Sequence, residues 1–185
     1  MTRFDFLYVL VSVLIAISIS DIALAWGALM KRRTQVQFYW VHVAWTVLVI
    51  FLLVQLWWGM WVYRSIETWS FFQMAAIVAE IVLLLLAASV LTPRRGSEGA
   101  IDLKAFFYDT SPIFFTLSAV LMLVLAIVNL VVAKHPLLGL ENVIRAIAIS
   151  VAMFGATTRS TLVHSILVGS GFVLLLVFVL THSAH

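Results

Sequence analysis

Six apolar runs divide the chain, at about 5–30, 36–62, 70–91, 113–133, 142–157 and 161–182, separated by short polar stretches. Roughly 20 apolar residues suffice for a helix to cross a hydrocarbon core of about 30 Å. A run that is apolar on every face belongs to a helix with lipid or protein all around it. The pattern therefore predicts an all-α polytopic membrane protein: a bundle of six transmembrane helices in one domain spanning residues 1–185.

The second run is the most marked. Tyr39 to Trp61 reads YWVHVAWTVLVIFLLVQLWWGMW, free of charge, with His42 and Gln55 as its polar interruptions. These two are thirteen positions apart, about 220° around a helix axis, so they point to different neighbours. The fifth run is the weakest, about 16 residues with Arg145 inside it. Arg145 must snorkel or face the bundle interior if this run spans. A short or re-entrant element over 137–157 is the alternative, giving five spans and moving the C-terminus to the other side; six spans is preferred.

The longest connection, 92–112 (TPRRGSEGAIDLKAFFYDTSP), opens with Pro93, Gly96 and Gly99, which break helices. It is expected to be a cytoplasmic loop. Ile101, Leu103, Phe106 and Phe107 within it read as an amphipathic interfacial helix dipping into the inner headgroup layer while Asp102 and Lys104 stay in water, with a gate over the cytoplasmic face as the sharper alternative.

Charge sets the orientation, because basic loops stay cytoplasmic. Lys31, Arg32, Arg33, Arg94, Arg95, Lys104 and Arg159 follow the first, third and fifth runs, whereas Arg3, Arg64, Lys134 and Arg145 fall toward the other side. Both termini are therefore expected on the non-cytoplasmic side. The tryptophans agree with these levels: Trp26 and Trp40 at the inner ends, Trp57, Trp58, Trp61 and Trp69 at the outer, and only Trp45 deeper. Aromatic belts at the two headgroup layers account for the former six.

Composition narrows the function classes. With 64% hydrophobic and 10% charged residues, the chain lies far from soluble proteins, where about a quarter of residues are charged. The net charge of +3 comes from basic residues at helix ends and does not point to nucleic acid. The absence of cysteine excludes disulfides, thiolate metal sites and a cysteine nucleophile. No nucleophile elbow, Walker loop or H-E-x-x-H occurs, so an enzyme is disfavoured. Neither a metal nor a cofactor is called for, and the expected partners are the lipid bilayer and either a second copy or another membrane subunit.

The informative residues are those that hydrocarbon rejects. Asp21, Glu80 and Arg145 would each cost about 2.5–3.5 kcal/mol at mid-bilayer on insertion scales, so they should face the interior. With the orientation above, Asp21, His42 and His164 fall at an inner level, Glu80 near the middle, and Gln55, Asn129 and Arg145 toward the outer half. Together they form a candidate polar ladder for an ion or a proton. His42 is expected to meet Asp21 or His164, and Gln55 to meet Asn129 or Arg145. On helix 6, Ser165 and Gly169 have the spacing that permits close helix contact.

Three functions fit this pattern. A channel or transporter for an ion, proton or small solute uses the ladder directly. A non-catalytic scaffold or partner subunit uses the same residues only to hold helices together. A b-type haem subunit, the least favoured, would use His42 and His164 as axial ligands.

The segments SISDIALAWG (18–27), KRR (31–33), the second run and GAIDLKAFFYD (99–109), with Phe114 and Phe115 beyond, resemble a family of small multi-helix bacterial membrane proteins of uncharacterised function. The resemblance covers about the first two thirds of the chain. It implies a bacterial inner-membrane location and a multi-helix fold, and carries no activity.

Overall fold

The computed structural model describes residues 2–93, 99–132 and 140–182. Arg94, Arg95, Gly96 and Lys134, used above for topology, lie outside the described residues. Six α-helices are present among those described: α1 (Arg3–Lys31), α2 (Trp40–Gly59), α3 (Phe71–Val90), α4 (Leu103–Val131), α5 (Leu140–Thr157) and α6 (Thr161–His182). A 3₁₀ turn, Met60–Ser65, prolongs α2. Arg3–Lys31, Trp40–Ser65, Phe71–Val90 and Leu103–Val131 are long and apolar enough to cross a membrane; Asn142–Thr157 and Thr161–Val177 are shorter apolar helices.

Local sequence explains the starts. Thr2 and Asp5 form a reciprocal capping box at the head of α1, and Ser70 and Gln73 form another at the head of α3. The Asp102 carboxylate accepts from the backbone N–H groups of Lys104 and Ala105, at 2.8 and 3.1 Å, and so starts α4. Residues Ile101–Asp102 (β2) pair in parallel with Val36–Gln37 (β1), which brings the segment before α2 beside the segment before α4.

The start of α4 corrects the expected loop over 92–112. The helix begins at Leu103, ten residues before the apolar run, and continues through Pro112. Proline removes one backbone donor, a defect that hydroxyl side chains can relieve. Thr110 and Thr116 on either side donate to the carbonyls of Phe106 and Pro112, one turn back along the helix, and not to the Tyr108 carbonyl that the proline leaves without its donor. Leu103 and Phe107, expected in the headgroup layer, are buried in the protein core instead.

The six helices alternate in direction. Arg3 at the head of α1 donates through Nη1 to the carbonyl of Trp69, just before α3. At the opposite end, Tyr108 near the head of α4 meets Thr161 at the head of α6. Phe51 of α2 meets Phe172 of α6 edge-on, and Tyr39 and Thr161 at the heads of these two helices both bond the Tyr108 hydroxyl, so α2 and α6 run parallel and adjacent. The α4 helix packs against α3 on one side and α5 on the other, and α1 lies against α3 and α2. The 29 residues of α1 and of α4 extend about 43 Å each, longer than a hydrocarbon core is thick.

On α1, Leu7, Val11, Ile15, Ser18, Ile22 and Ala25 are buried at helical spacing, while Phe6, Val9, Val13, Ile17 and Leu24 are exposed on the other faces. Both faces are apolar, as in a helix between protein and lipid. Close helix contact on α6 is made by Gly171 rather than at Ser165 and Gly169. A Cβ at Gly171 would stand 2.7 Å from Leu48 Cδ2, whereas at Gly169 it would meet nothing within 4 Å.

Candidate functional site

The candidate residues separate into two groups at different depths. At the end where α2, α4 and α6 begin, His42 and His164 are both fully buried. The Nε2–H of His42 donates to the carbonyl of Leu91 at 2.8 Å, and that of His164 to the carbonyl of Thr158 at 3.1 Å. Because a carbonyl can only accept, each imidazole carries its proton on Nε2, leaving Nδ1 buried without a partner. Leu91 follows the last turn of α3 and Thr158 that of α5, where backbone carbonyls have no intrahelical donor. Each histidine thus caps the C-terminus of a neighbouring helix, a position that favours a donor on dipole grounds as well.

Phe107 connects the two. Its ring stands edge-on to His164, with centroids 5.0 Å apart, and to His42 at 6.5 Å. Phe115 stacks on the His164 imidazole with centroids 5.4 Å apart. Beside this cluster, the hydroxyl of Tyr108 bridges that of Tyr39, at 3.1 Å, and that of Thr161, at 3.2 Å. Burial and the Tyr108 hydroxyl push the Tyr39 phenol up to about 12. This end is therefore filled by packed rings and by the hydrogen-bonded Tyr39, Tyr108 and Thr161 hydroxyls, while the two imidazole Nδ1 atoms have no partner among the described residues. Asp21, expected at the same level, lies half-buried on α1, and His42 makes its hydrogen bond to α3 rather than to it.

The second group lies in the other half. Glu80 is 4% exposed, and its Oε1 has no hydrogen-bond partner among the described residues. Among the described residues, Arg145 of α5 is the charge expected to act on it electrostatically, at longer range than an ion pair. Arg145 is half-buried and donates through Nη1 to Asn142 Oδ1 at 2.9 Å, one helical turn earlier. Asn129 is buried near the end of α4 at 7% exposure. Gln55 is half-buried on α2, a helix packed mainly with α1, α3 and α6, while Arg145 sits on α5 against α4. The expected pairing of Gln55 with Arg145 is not made.

A groove of about 600 Å³ opens at the head of α3, lined by Ile66, Thr68, Trp69, Ser70, Gln73 and Val132. None of the seven candidate residues lines it. Among the described residues there is no group of three or more His, Asp or Glu side chains able to hold a metal ion.

Several contributing residues escape a reading of the sequence. Phe107 looked like a headgroup anchor, and Tyr39, Tyr108 and Thr161 carried no motif. Asn142 could have been suspected, because it lies three positions before Arg145, where helical side chains meet.

No protein-family model, no curated protein and no solved structure matches the chain. The likeness in residues 18–61 and 99–109 therefore assigns it to no family.

Proposed function

We propose that the chain is a six-span integral membrane protein that moves a proton, ion or small solute, with Glu80 as its ionisable centre. The carrying observation is the Glu80 carboxyl, buried near the middle of α3 with one oxygen unpartnered and under the field of Arg145. A carboxyl at that depth is costly unless protonated or compensated, and such groups mark ion and proton pathways in membranes.

The reading places both termini on the non-cytoplasmic side. Lys31, Arg32, Arg33, Lys104 and Arg159 all lie at the end where α2, α4 and α6 begin, and Arg3 and Arg64 lie at the other, which supports that orientation. The bacterial inner membrane is the location implied by the resemblance. In reconstituted vesicles, proton or cation flux that collapses in Glu80→Gln supports the proposal; equal flux in both proteins overturns it.

A non-catalytic scaffold is the second reading, favoured by the closed inner end. There both histidines cap helices and Tyr39, Tyr108 and Thr161 join α4 to its neighbours, which is what helix adhesion alone requires. The haem reading draws no support from this end, because both Nε2 atoms hold backbone carbonyls and Phe107 packs against both rings.

A further inference from the structure

The groove at the head of α3 and the Glu80 carboxyl lie on one line. Gln73, which lines the groove, is seven residues before Glu80, so both project from the same face of α3, about 10 Å apart along the axis. Ile77 lies between them on that face and is fully buried. Across the seam, Val132 lines the same groove from the end of α4, and Asn129 lies one turn deeper on that helix, buried. Arg145 stands five residues into α5, which packs on α4, and its field reaches Glu80.

Polar side chains therefore lie at successive depths below the groove, Gln73 at its mouth, Asn129 below it and Glu80 deepest, with the fully buried Ile77 between Gln73 and Glu80. The walls are fixed: Arg3 Nη1 and Trp69 Nε1 hold the backbone carbonyls of Trp69 and Ile66 at 3.0 and 3.1 Å.

We infer that this groove is the entrance through which protons reach Glu80, along the α3–α4 seam from the side that carries the N-terminus. The inference rests on reading Glu80 as the ionisable centre and adds the route, the side and the ion. A proton is favoured over a metal cation because, among the described residues, no group of three or more His, Asp or Glu side chains stands together to hold a metal ion. A proton adds to the unpartnered Oε1 without needing a coordination shell. The other end is closed by Phe107 and the two capping histidines, so the route is one-sided in this conformation.

The chain has no cysteine, so single cysteines report directly on water access. A thiol reacts with a charged, membrane-impermeant thiosulfonate only where water lets it ionise. In oriented proteoliposomes, Gln73→Cys and Asn129→Cys should react at least tenfold faster from the N-terminal side than Leu130→Cys, which faces away from the core. From the opposite side they should not react faster than that control. Ile77→Cys, at a neighbouring depth on the other helix, repeats the test if Asn129→Cys does not fold. Deep cysteines no faster than Leu130→Cys, or reactive only from the opposite side, overturn the route. If they are unreactive while Glu80→Gln still abolishes flux, the entrance is wrong and the function stands. If they react while Glu80→Gln flux is unchanged, the seam is wet and the proton pathway is refuted.

Discussion

His42 reaches across 49 positions of sequence to cap α3, donating its Nε2 proton to the carbonyl of Leu91 at 2.8 Å. The contact joins the head of α2 to the tail of α3 where the α3 carbonyls have lost their helical donors. Removing the imidazole leaves a buried acceptor unsatisfied, at a cost of about 1–3 kcal/mol, plus the cavity left by the ring. Equilibrium unfolding in detergent should show His42→Ala destabilised by about 2–4 kcal/mol. His42→Gln, whose amide can donate to the same carbonyl, should recover part of that loss, and no recovery would mean that packing rather than the hydrogen bond holds the contact.

The two close glycine contacts should differ in cost. A Cβ at Gly155 would stand 3.0 Å from the Phe115 ring, itself wedged against Trp45, Phe114 and His164. At Gly171 the clash is with the end of a Leu48 side chain, which can rotate away. Gly155→Ala should lose about 1–3 kcal/mol, as overpacked cores do, and Gly171→Ala clearly less. Equal losses in the same unfolding assay would contradict the rigid setting of Phe115.

Tyr39 gives the end where α2, α4 and α6 begin a signature at high pH. Its phenol is pushed up to about 12 by burial and by the Tyr108 hydroxyl, against an ordinary value near 10. Above pH 10 the unfolded chain releases this proton while the folded one retains it, so the stabilisation present below pH 10 is lost as pH rises toward 12. Thermal unfolding at pH 9 and pH 11 should show a drop that Tyr39→Phe reduces. An unchanged drop in that variant would mean that Tyr39 is not the group responsible.

How much of this was visible in the sequence depends on whether a feature is repeated or single. Apolar runs repeat, so the helices could be located. The head of α4 reads from sequence as a separate interfacial piece because Asp109, Thr110, Ser111 and Pro112 have the composition of a turn, and the burial of Leu103 and Phe107 is what ties it to the core. The positions of His42, Glu80 and His164 along their helices could be counted from residue rise. Their partners could not, because two are backbone carbonyls at helix ends, a feature that every helix has. A single ladder could not be distinguished from two separate levels without knowing that α2 packs mainly with α1, α3 and α6 while α5 packs on α4.

Arg145 is oriented by Asn142, whose Oδ1 accepts from its Nη1 at 2.9 Å. Asn142→Ala should release the guanidinium and weaken its effect on Glu80 without removing the charge. The flux-against-pH curve should then shift along the pH axis while the protein remains folded, whereas Arg145→Gln should shift it further in the same direction. Identical curves for Asn142→Ala and the parent would show that Asn142 does not position Arg145.

The most direct measurement is proton flux into proteoliposomes as a function of pH on the N-terminal side, compared between the parent and Glu80→Gln. The parent should conduct with a single titration. Glu80→Gln should be folded, at least tenfold slower and without that titration. Equal flux and the same pH profile in the two proteins would show that the buried carboxyl carries no proton, and the bundle would then be a scaffold.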